Sequence, residues 1–229
     1  MEPLVLIPGL LCTRALYEPQ IAALGERATI VADHQQHETI SQIAHNILEK
    51  APGDFALLGL SMGGYIAMEI MRQAPERVTR LALLDTTAQA DAPQQIERRM
   101  SMIKLAQRKE FAKIPELLYP SFVHADRADD QDLKAIVTSM AMETGAEAFV
   151  RQTTAIMNRI DSRDSLKTIT CPTLVLVGDG DTLTPPERSQ EMHNLIPGSH
   201  LEIIPGSGHL TTLEAPEQTN AAINNWLKN

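Results

Sequence analysis

The sequence predicts an α/β protein with a mainly parallel, six-stranded sheet and helices on both faces. Two observations support this fold class. Short apolar runs alternate with amphipathic helical patterns along most of the 229 residues, and this alternation favours parallel strands joined by helices. The runs at 4–7 and 174–177 are apolar at every position, as expected for strands that are covered on both faces.

The expected strands are residues 4–7, 29–32, 55–58, 78–84, 173–177 and 201–204. The strands at 29–32 and 201–204 are expected at the two edges of the sheet. Between residues 40 and 48, apolar side chains recur at i, i+3, i+4, i+7 and i+8, which predicts a helix. Further helices are predicted at 16–24, 65–74 and 216–227.

Residues 87–168 interrupt the alternation, because they contain helical patterns only. Apolar stripes near 96–107, 133–140 and 149–160 predict a four-helix insertion between two strands. We therefore expect a core of residues 1–86 and 169–229 and a helical cap of residues 87–168. The cap contains several methionines, which either form an adaptable pocket or pack the cap against the sheet: Met100, Met102, Met140, Met142 and Met157.

Composition narrows the classes of partner. The net charge of −9 and a pI near 5.2 argue against binding to nucleic acid or to an anionic membrane surface. The two cysteines, Cys12 and Cys171, are too few for a disulfide framework and lack the spacing of metal ligands. No signal-peptide pattern and no apolar run of membrane-spanning length is present, so a cytoplasmic location is expected.

The most informative motif is Gly-Leu-Ser-Met-Gly at positions 59–63. An apolar strand precedes it and a helical pattern follows it. Glycines on both sides of Ser61 permit a tight strand-to-helix turn that exposes the hydroxyl at the carboxyl end of the strand, which is the arrangement of a nucleophile elbow. The alternative is an ordinary glycine-rich turn.

A serine hydroxyl needs a base within hydrogen-bond reach and a third group that orients the base. His209 is the candidate base, because it follows a predicted strand on a glycine-rich loop. Asp181 is the candidate orienting acid, with Asp179 in the same loop and Asp85 after another strand as competitors.

Among the other histidines, His124 lies in the insertion and is a candidate to face the cleft. The remaining ones are expected on the surface, namely His34, His37, His45, His193 and His200.

Two backbone groups are expected to stabilise negative charge on a reacting carbonyl oxygen. The Met62 N–H follows the serine directly and lies at a helix N-terminus, where the helix dipole favours an anion. The Leu10 N–H is the second candidate, because Gly9 permits a turn in the loop after the first strand.

Taken together, these motifs resemble the α/β-hydrolase superfamily, in its esterase-like branch with a helical cap. The resemblance covers nearly the whole chain and depends on the segments 59–64, 171–185 and 206–209. It implies an α/β-hydrolase fold and a Ser-His-Asp triad of Ser61, His209 and Asp181, because the family acid corresponds to Asp181 rather than Asp179. The chain order of nucleophile, acid and base is also that of this fold.

Two features depart from the family pattern. Pro8-Gly9 stands where the family usually has His-Gly, and the two antiparallel strands that usually begin the sheet are missing from this sequence. The resemblance implies a hydrolase that cleaves an ester, thioester or lactone of a small to medium, largely apolar acid, without metal or organic cofactor. Alternatives are a C–C bond hydrolase or perhydrolase on the same triad, or a small-molecule receptor with a vestigial site.

Overall fold

The sheet has the strand order β2-β1-β3-β4-β5-β6 in the computed structural model, which describes residues 2–228. Its strands are β1 (Leu4–Ile7), β2 (Thr29–Val31), β3 (Phe55–Leu60), β4 (Val78–Leu84), β5 (Thr173–Gly178) and β6 (His200–Ile204). Each neighbouring pair is parallel. The predicted six-stranded parallel sheet is therefore confirmed, and β2 and β6 form its edges.

The helices are α1 (Glu18–Leu24), α2 (Ile40–Lys50), α3 (Met62–Gln73), α4 (Pro93–Leu105), α5 (Lys113–Phe122), α6 (Gln131–Met157), α7 (Arg163–Leu166), α8 (Pro186–Leu195), α9 (Thr211–Glu214) and α10 (Pro216–Trp226). The helix predicted at 16–24 begins as a 3₁₀ turn over Arg14–Tyr17 and continues as α1.

Alternating side chains of each strand enter two separate hydrophobic cores, one on each face of the sheet. Val5 and Leu57 point into the core that α2, α3 and α8 cover. Leu6 and Leu58 point into the core that α1 and α10 cover together with parts of α5 and α6. This explains why the inner strands are apolar at consecutive positions, because both faces of the sheet are buried.

Helices α4 to α7 connect β4 to β5, as the helical pattern of residues 87–168 predicts. Gly145 has a φ of 78° and bends α6 into two segments. Leu133, Val137 and Met140 are buried, as their spacing predicts, whereas Ile136 remains 41% exposed. Helix α4 covers most of the apolar stripe at 96–107 but has no buried residue. The assignment of this segment to a separate cap domain stays a prediction.

Candidate active site

Ser61 lies in a strained turn between β3 and α3 at the carboxyl edge of the sheet. Its φ of 56° and ψ of −113° are unusual for a residue with a side chain. The turn is closely packed: a Cβ added at Gly63 would lie 1.9 Å from the Ile7 carbonyl oxygen, and one at Gly59 would lie 2.2 Å from the Gly63 oxygen. Glycine is therefore required on both sides of the serine.

His209 comes from the loop after β6 and reaches Ser61 with its imidazole ring. Its Nε2 lies 2.8 Å from Ser61 Oγ. The loop is fixed by Glu214, whose Oε1 accepts the N–H groups of Gly208 and Leu210 on either side of the histidine. The backbone N–H of His209 donates to the Phe122 carbonyl in α5, so the backbone of this loop is attached to the helical segment as well.

Asp181 lies behind the imidazole in the loop after β5. Its Oδ2 is 2.7 Å from His209 Nδ1. Its Oδ1 accepts the Leu183 and Thr184 N–H groups, and the Thr184 hydroxyl donates to Oδ2. These bonds fix the carboxylate in one orientation. The structure thus brings the three predicted side chains, from three separate loops, into one hydrogen-bonded chain.

The two competing aspartates occupy different environments. Asp179 is exposed and accepts the Gly206 N–H, away from the imidazole. Asp85 is fully buried and accepts the Gly178 N–H and the Thr211 hydroxyl. Burial and then the nearby Asp181 charge raise the pKa of Asp85 well above its usual value. Among residues 2–228, only Asp181 of these three aspartates hydrogen-bonds the His209 ring.

The electrostatics of the histidine and aspartate pair favour an ion pair. Burial alone would lower the pKa of His209, but the charge and hydrogen bond of Asp181 outweigh it and the pKa is raised. Burial alone would raise the pKa of Asp181, but His209 and the Thr184 donors hold it below its usual value. The pair can therefore accept a proton on the imidazole while the carboxylate remains ionised.

The two backbone groups expected to bind an oxyanion flank the serine. Met62 is the first residue of α3. Gly9 and Leu10 line the same cavity as Ser61, and a Cβ at Gly9 would lie 3.4 Å from the Ser61 Cβ. Within the described residues 2–228, neither the Leu10 nor the Met62 N–H donates a hydrogen bond. That these two donors bind the oxyanion of a substrate stays a prediction.

The expectation that His34 is a surface residue is wrong, since it is buried beside the loop of residues 9–11. Its Nε2 lies 3.0 Å from the Gly9 carbonyl oxygen and 2.9 Å from Gln152 Nε2. Gln152, in α6, accepts the N–H of Leu11 on its Oε1, and Leu11 has a φ of 61°. Desolvation lowers the pKa of His34 and keeps the imidazole neutral. The family pattern has a histidine directly before Gly9. In this chain His34, which follows β2, contacts the same loop.

His124 lies in the insertion but does not line the cavity at Ser61. Its ring packs against Gly180, where an added Cβ would lie 2.2 Å from the His124 Cδ2. Its Nδ1 accepts the N–H of Asp126. No sequence signal distinguishes this position from one that faces the cleft.

The cavity above Ser61 has a volume of about 130 Å³. Its wall combines apolar side chains of the core and of the helical segment, among them Leu10, Phe122, Phe149 and Ile156. Of the five methionines considered for this wall, only Met102 lines it. Met140 is buried in the core, and Met100 and Met142 are exposed, so packing or solvent exposure accounts for most of them.

Three arginines also line the cavity, namely Arg98, Arg99 and Arg159. Sequence reasoning missed them because it followed apolar periodicity and gave no weight to charged positions. The signal was present: Gln95, Arg98, Arg99 and Met102 are spaced to share one face of α4.

Residues 2–228 contain no group of three or more His, Cys, Asp or Glu side chains arranged to hold a metal ion. No helix in that range combines the length and the apolar character needed to cross a membrane.

Comparison with known proteins gives consistent matches. A family model described as the alpha/beta hydrolase family matches residues 4–222. Pimeloyl-(acyl-carrier protein) methyl ester esterase of Nitrosomonas europaea is 25% identical over 190 residues, covering 79% of this chain and 74% of that protein. The biotin biosynthesis bifunctional protein BioHC of Teredinibacter turnerae is 25% identical over 224 residues, which are 91% of this chain but 38% of that protein.

Among solved structures, a thermophilic esterase from Thermogutta terrifontis, solved with malate bound, is similar with a TM-score of 0.89 and 29% identity. The alignment covers 100% of this chain and 90% of that one.

Proposed function

The chain belongs to the alpha/beta hydrolase family and is a hydrolase, and on that premise we propose that it is a serine esterase with a Ser61-His209-Asp181 triad. Its substrate is an ester, thioester or lactone of a small to medium, largely apolar acid. The observation that carries the proposal is the pair of short contacts at His209, 2.8 Å to Ser61 Oγ and 2.7 Å to Asp181 Oδ2.

In this mechanism, Asp181 accepts the Nδ1–H of His209 and so leaves Nε2 unprotonated and aimed at the serine. As Ser61 Oγ attacks the substrate carbonyl, Nε2 takes the hydroxyl proton. The imidazolium that forms is stabilised by the Asp181 carboxylate, which stays ionised.

The carbonyl oxygen becomes negative in the tetrahedral intermediate and is bound by the N–H groups of Leu10 and Met62. Two fixed donors in a cavity that excludes water stabilise the oxyanion more than the same donors do in water. The N-terminus of α3 adds a favourable dipole. Gln152 and His34 hold the loop that carries Leu10 in position.

The intermediate collapses when the His209 imidazolium gives its proton to the leaving alcohol or thiol. An acyl-Ser61 ester remains. Water, deprotonated by His209, attacks that ester, and the acid and the free serine are released. Every step uses groups of the chain, so the mechanism needs neither a metal nor an organic cofactor.

The cavity and the comparisons support ester substrates. A volume of about 130 Å³ is below the range of about 300–1,000 Å³ typical of sites for drug-sized ligands, which favours a small acyl group. The relatives are named as esterases in N. europaea and T. terrifontis. In the same proposal, helices α4 to α7 act as a cap over the acyl group, the partner is a small molecule and the protein works in the cytoplasm.

The test is turnover of p-nitrophenyl butyrate together with labelling by a fluorophosphonate probe. We expect the probe to modify Ser61 and no other serine, and Ser61→Ala to abolish both labelling and turnover. Ser139→Ala, at an exposed position of α6, is the matched control and should retain both.

Labelling at another serine, or turnover that survives Ser61→Ala, would contradict the mechanism. Correctly folded protein that takes up the probe on Ser61 but turns over no ester, thioester or lactone would favour the receptor alternative instead.

A further inference from the structure

One part of the cavity wall, called the mouth here, is formed by residues of α4 and by Arg159 and is positively charged. Gln95, Arg98, Arg99 and Met102 line the cavity from one face of this helix, as their spacing of three, four and seven residues requires. Glu97 lies on the opposite face by the same spacing. The helix therefore presents two guanidinium groups towards the site and turns its acidic residue away.

Arg159, just after α6, adds a third guanidinium. Its Cζ lies 4.2 Å from the centroid of the Tyr65 ring, and its side chain is 5% exposed. It donates to the Gln89 carbonyl oxygen and to Asp91. The ring, the backbone oxygen and the carboxylate hold this cation in a fixed position at the cavity.

Asp91 compensates only part of this charge. Its carboxylate is fully buried and pairs with both Arg99 and Arg159. Arg98 has no hydrogen-bonding or ion-pair partner among residues 2–228, and it is exposed. Three guanidinium groups thus face one carboxylate at the mouth, in a protein whose net charge is −9.

This local positive field lies close to the reaction centre. Tyr65 lines the same cavity as Ser61 and follows it by one turn of α3, about 5.4 Å along the helix axis. Arg159 stacks on that ring. Arg98, Arg99 and Arg159 line the same cavity as Ser61, so a substrate held at the Ser61 hydroxyl shares this cavity with three guanidinium groups.

We propose that the mouth of the cavity binds an anionic group of the substrate, a carboxylate or a phosphate, through Arg98 with support from Arg99 and Arg159. The proposal depends on the esterase function proposed above and refines it: the substrate has an apolar chain between its scissile ester and a negative charge. Guanidinium groups suit both anions, because their N–H groups match two oxygens at once.

The experiment compares kcat/KM for esters with and without a terminal anionic group. Monomethyl adipate places a carboxylate on the acyl side and is matched by methyl hexanoate. Acetoxybutanoate and acetoxybutyl phosphate place the charge on the alcohol side and are matched by butyl acetate. We expect at least one anionic ester to exceed its neutral match by about tenfold or more. The side that responds identifies the part of the substrate that carries the charge.

Arg98 is the position to vary, because Arg99 and Arg159 also neutralise the buried Asp91 and their loss would disturb folding. Arg98→Gln should lower the anionic-to-neutral ratio about fivefold to tenfold, and Arg98→Lys should lower it less. Arg108→Gln, at an exposed position outside the cavity, is the control and should leave the ratio within about twofold. Added salt should weaken the preference, since Arg98 is exposed to solvent.

Equal or better use of the neutral esters by the wild-type protein would overturn the proposal, as would a ratio that does not respond to Arg98→Gln. Either result would leave the esterase mechanism intact, because the neutral esters would still be hydrolysed. Failure of the esterase function itself would appear separately, as the lack of Ser61 labelling and of any turnover.

Discussion

Replacing Asp181 by asparagine removes one charge with little change of shape, and the structure determines how the new amide would sit. Oδ1 of Asp181 accepts two backbone N–H groups, from Leu183 and Thr184. Only the carbonyl oxygen of an asparagine can accept them. The amide NH₂ group must then take the place of Oδ2, 2.7 Å from His209 Nδ1.

An NH₂ group at that point forces the wrong tautomer on the histidine. It can only donate, so Nδ1 must accept and the ring proton moves to Nε2, the nitrogen that lies 2.8 Å from Ser61 Oγ. A protonated Nε2 cannot take the serine proton. The equivalent exchange in a serine protease lowers kcat by about 10⁴-fold. We expect a loss of about 10³–10⁴-fold for Asp181→Asn, or about 4–5.5 kcal/mol at about 1.36 kcal/mol per tenfold.

The assay is kcat for p-nitrophenyl butyrate as a function of pH. Wild-type activity should fall on the acid side as His209 becomes protonated, with a midpoint above the ordinary histidine pKa, because Asp181 raises that pKa. Loss of the carboxylate charge removes this effect, so the residual activity of Asp181→Asn should fall at a lower pH. Asp179→Asn, in the same loop but exposed, should stay within about twofold of wild type.

A kcat for Asp181→Asn within tenfold of wild type would refute the reasoning about the tautomer, and so would equal losses in the two variants. If Asp181→Asn remains active, adding Asp85→Asn decides whether the buried second carboxylate has replaced the first. Asp85 is near enough for its charge to act on His209.

Two further variants test the supports of the site. Gln152→Leu leaves the buried Leu11 N–H without an acceptor, so the free energy of unfolding in urea should drop by about 1–3 kcal/mol, and kcat should drop with it. Gln190→Leu, on the surface of α8, is the control. Unchanged stability of Gln152→Leu would contradict the role of this bond. Glu214→Gln turns an NH₂ group towards at least one of three backbone donors and should lower the free energy of unfolding by about 1–3 kcal/mol. The measurement is thermal unfolding, with Glu217→Gln as the control. Equal melting temperatures for the two variants would refute this role of Glu214.

The sheet was predictable from the sequence because β1, β3 and β5 are buried on both faces and are therefore largely apolar, and β4 becomes apolar after the partly exposed Thr79 and Arg80. The same strand pattern predicts that Ser61, His209 and Asp181 lie near one another. Each follows a parallel strand, and the carboxyl ends of parallel strands meet at one edge of the sheet. The structure places the His209 ring within hydrogen-bond distance of both Ser61 and Asp181. Their catalytic roles stay a proposal until the variants are measured.

The helical segment was less predictable, because helical periodicity identifies a buried face only where the helix packs on a core. Helix α4 instead borders a cavity and directs polar side chains into it. Its apolar positions therefore do not identify the face that lines the cavity. The prediction that His34 is exposed was wrong for a related reason. Its polar neighbours in sequence are typical of a surface loop, but α6 covers this loop in the folded protein. Gly145, at the bend in α6, carries no sequence signal that distinguishes it from a helix end.

The crowding around the elbow glycines has a consequence for how this protein can diversify. Positions 59, 63 and 64 leave no room for even a methyl group, because backbone atoms or Thr86 lie within 2.4 Å of where it would be. Random mutagenesis should therefore find almost no tolerated change there. Met102 and Phe149 also line the cavity but belong to two separate helices, α4 and α6. Variants at these two positions can therefore change the substrate preference while Ser61, His209 and Asp181 stay the same.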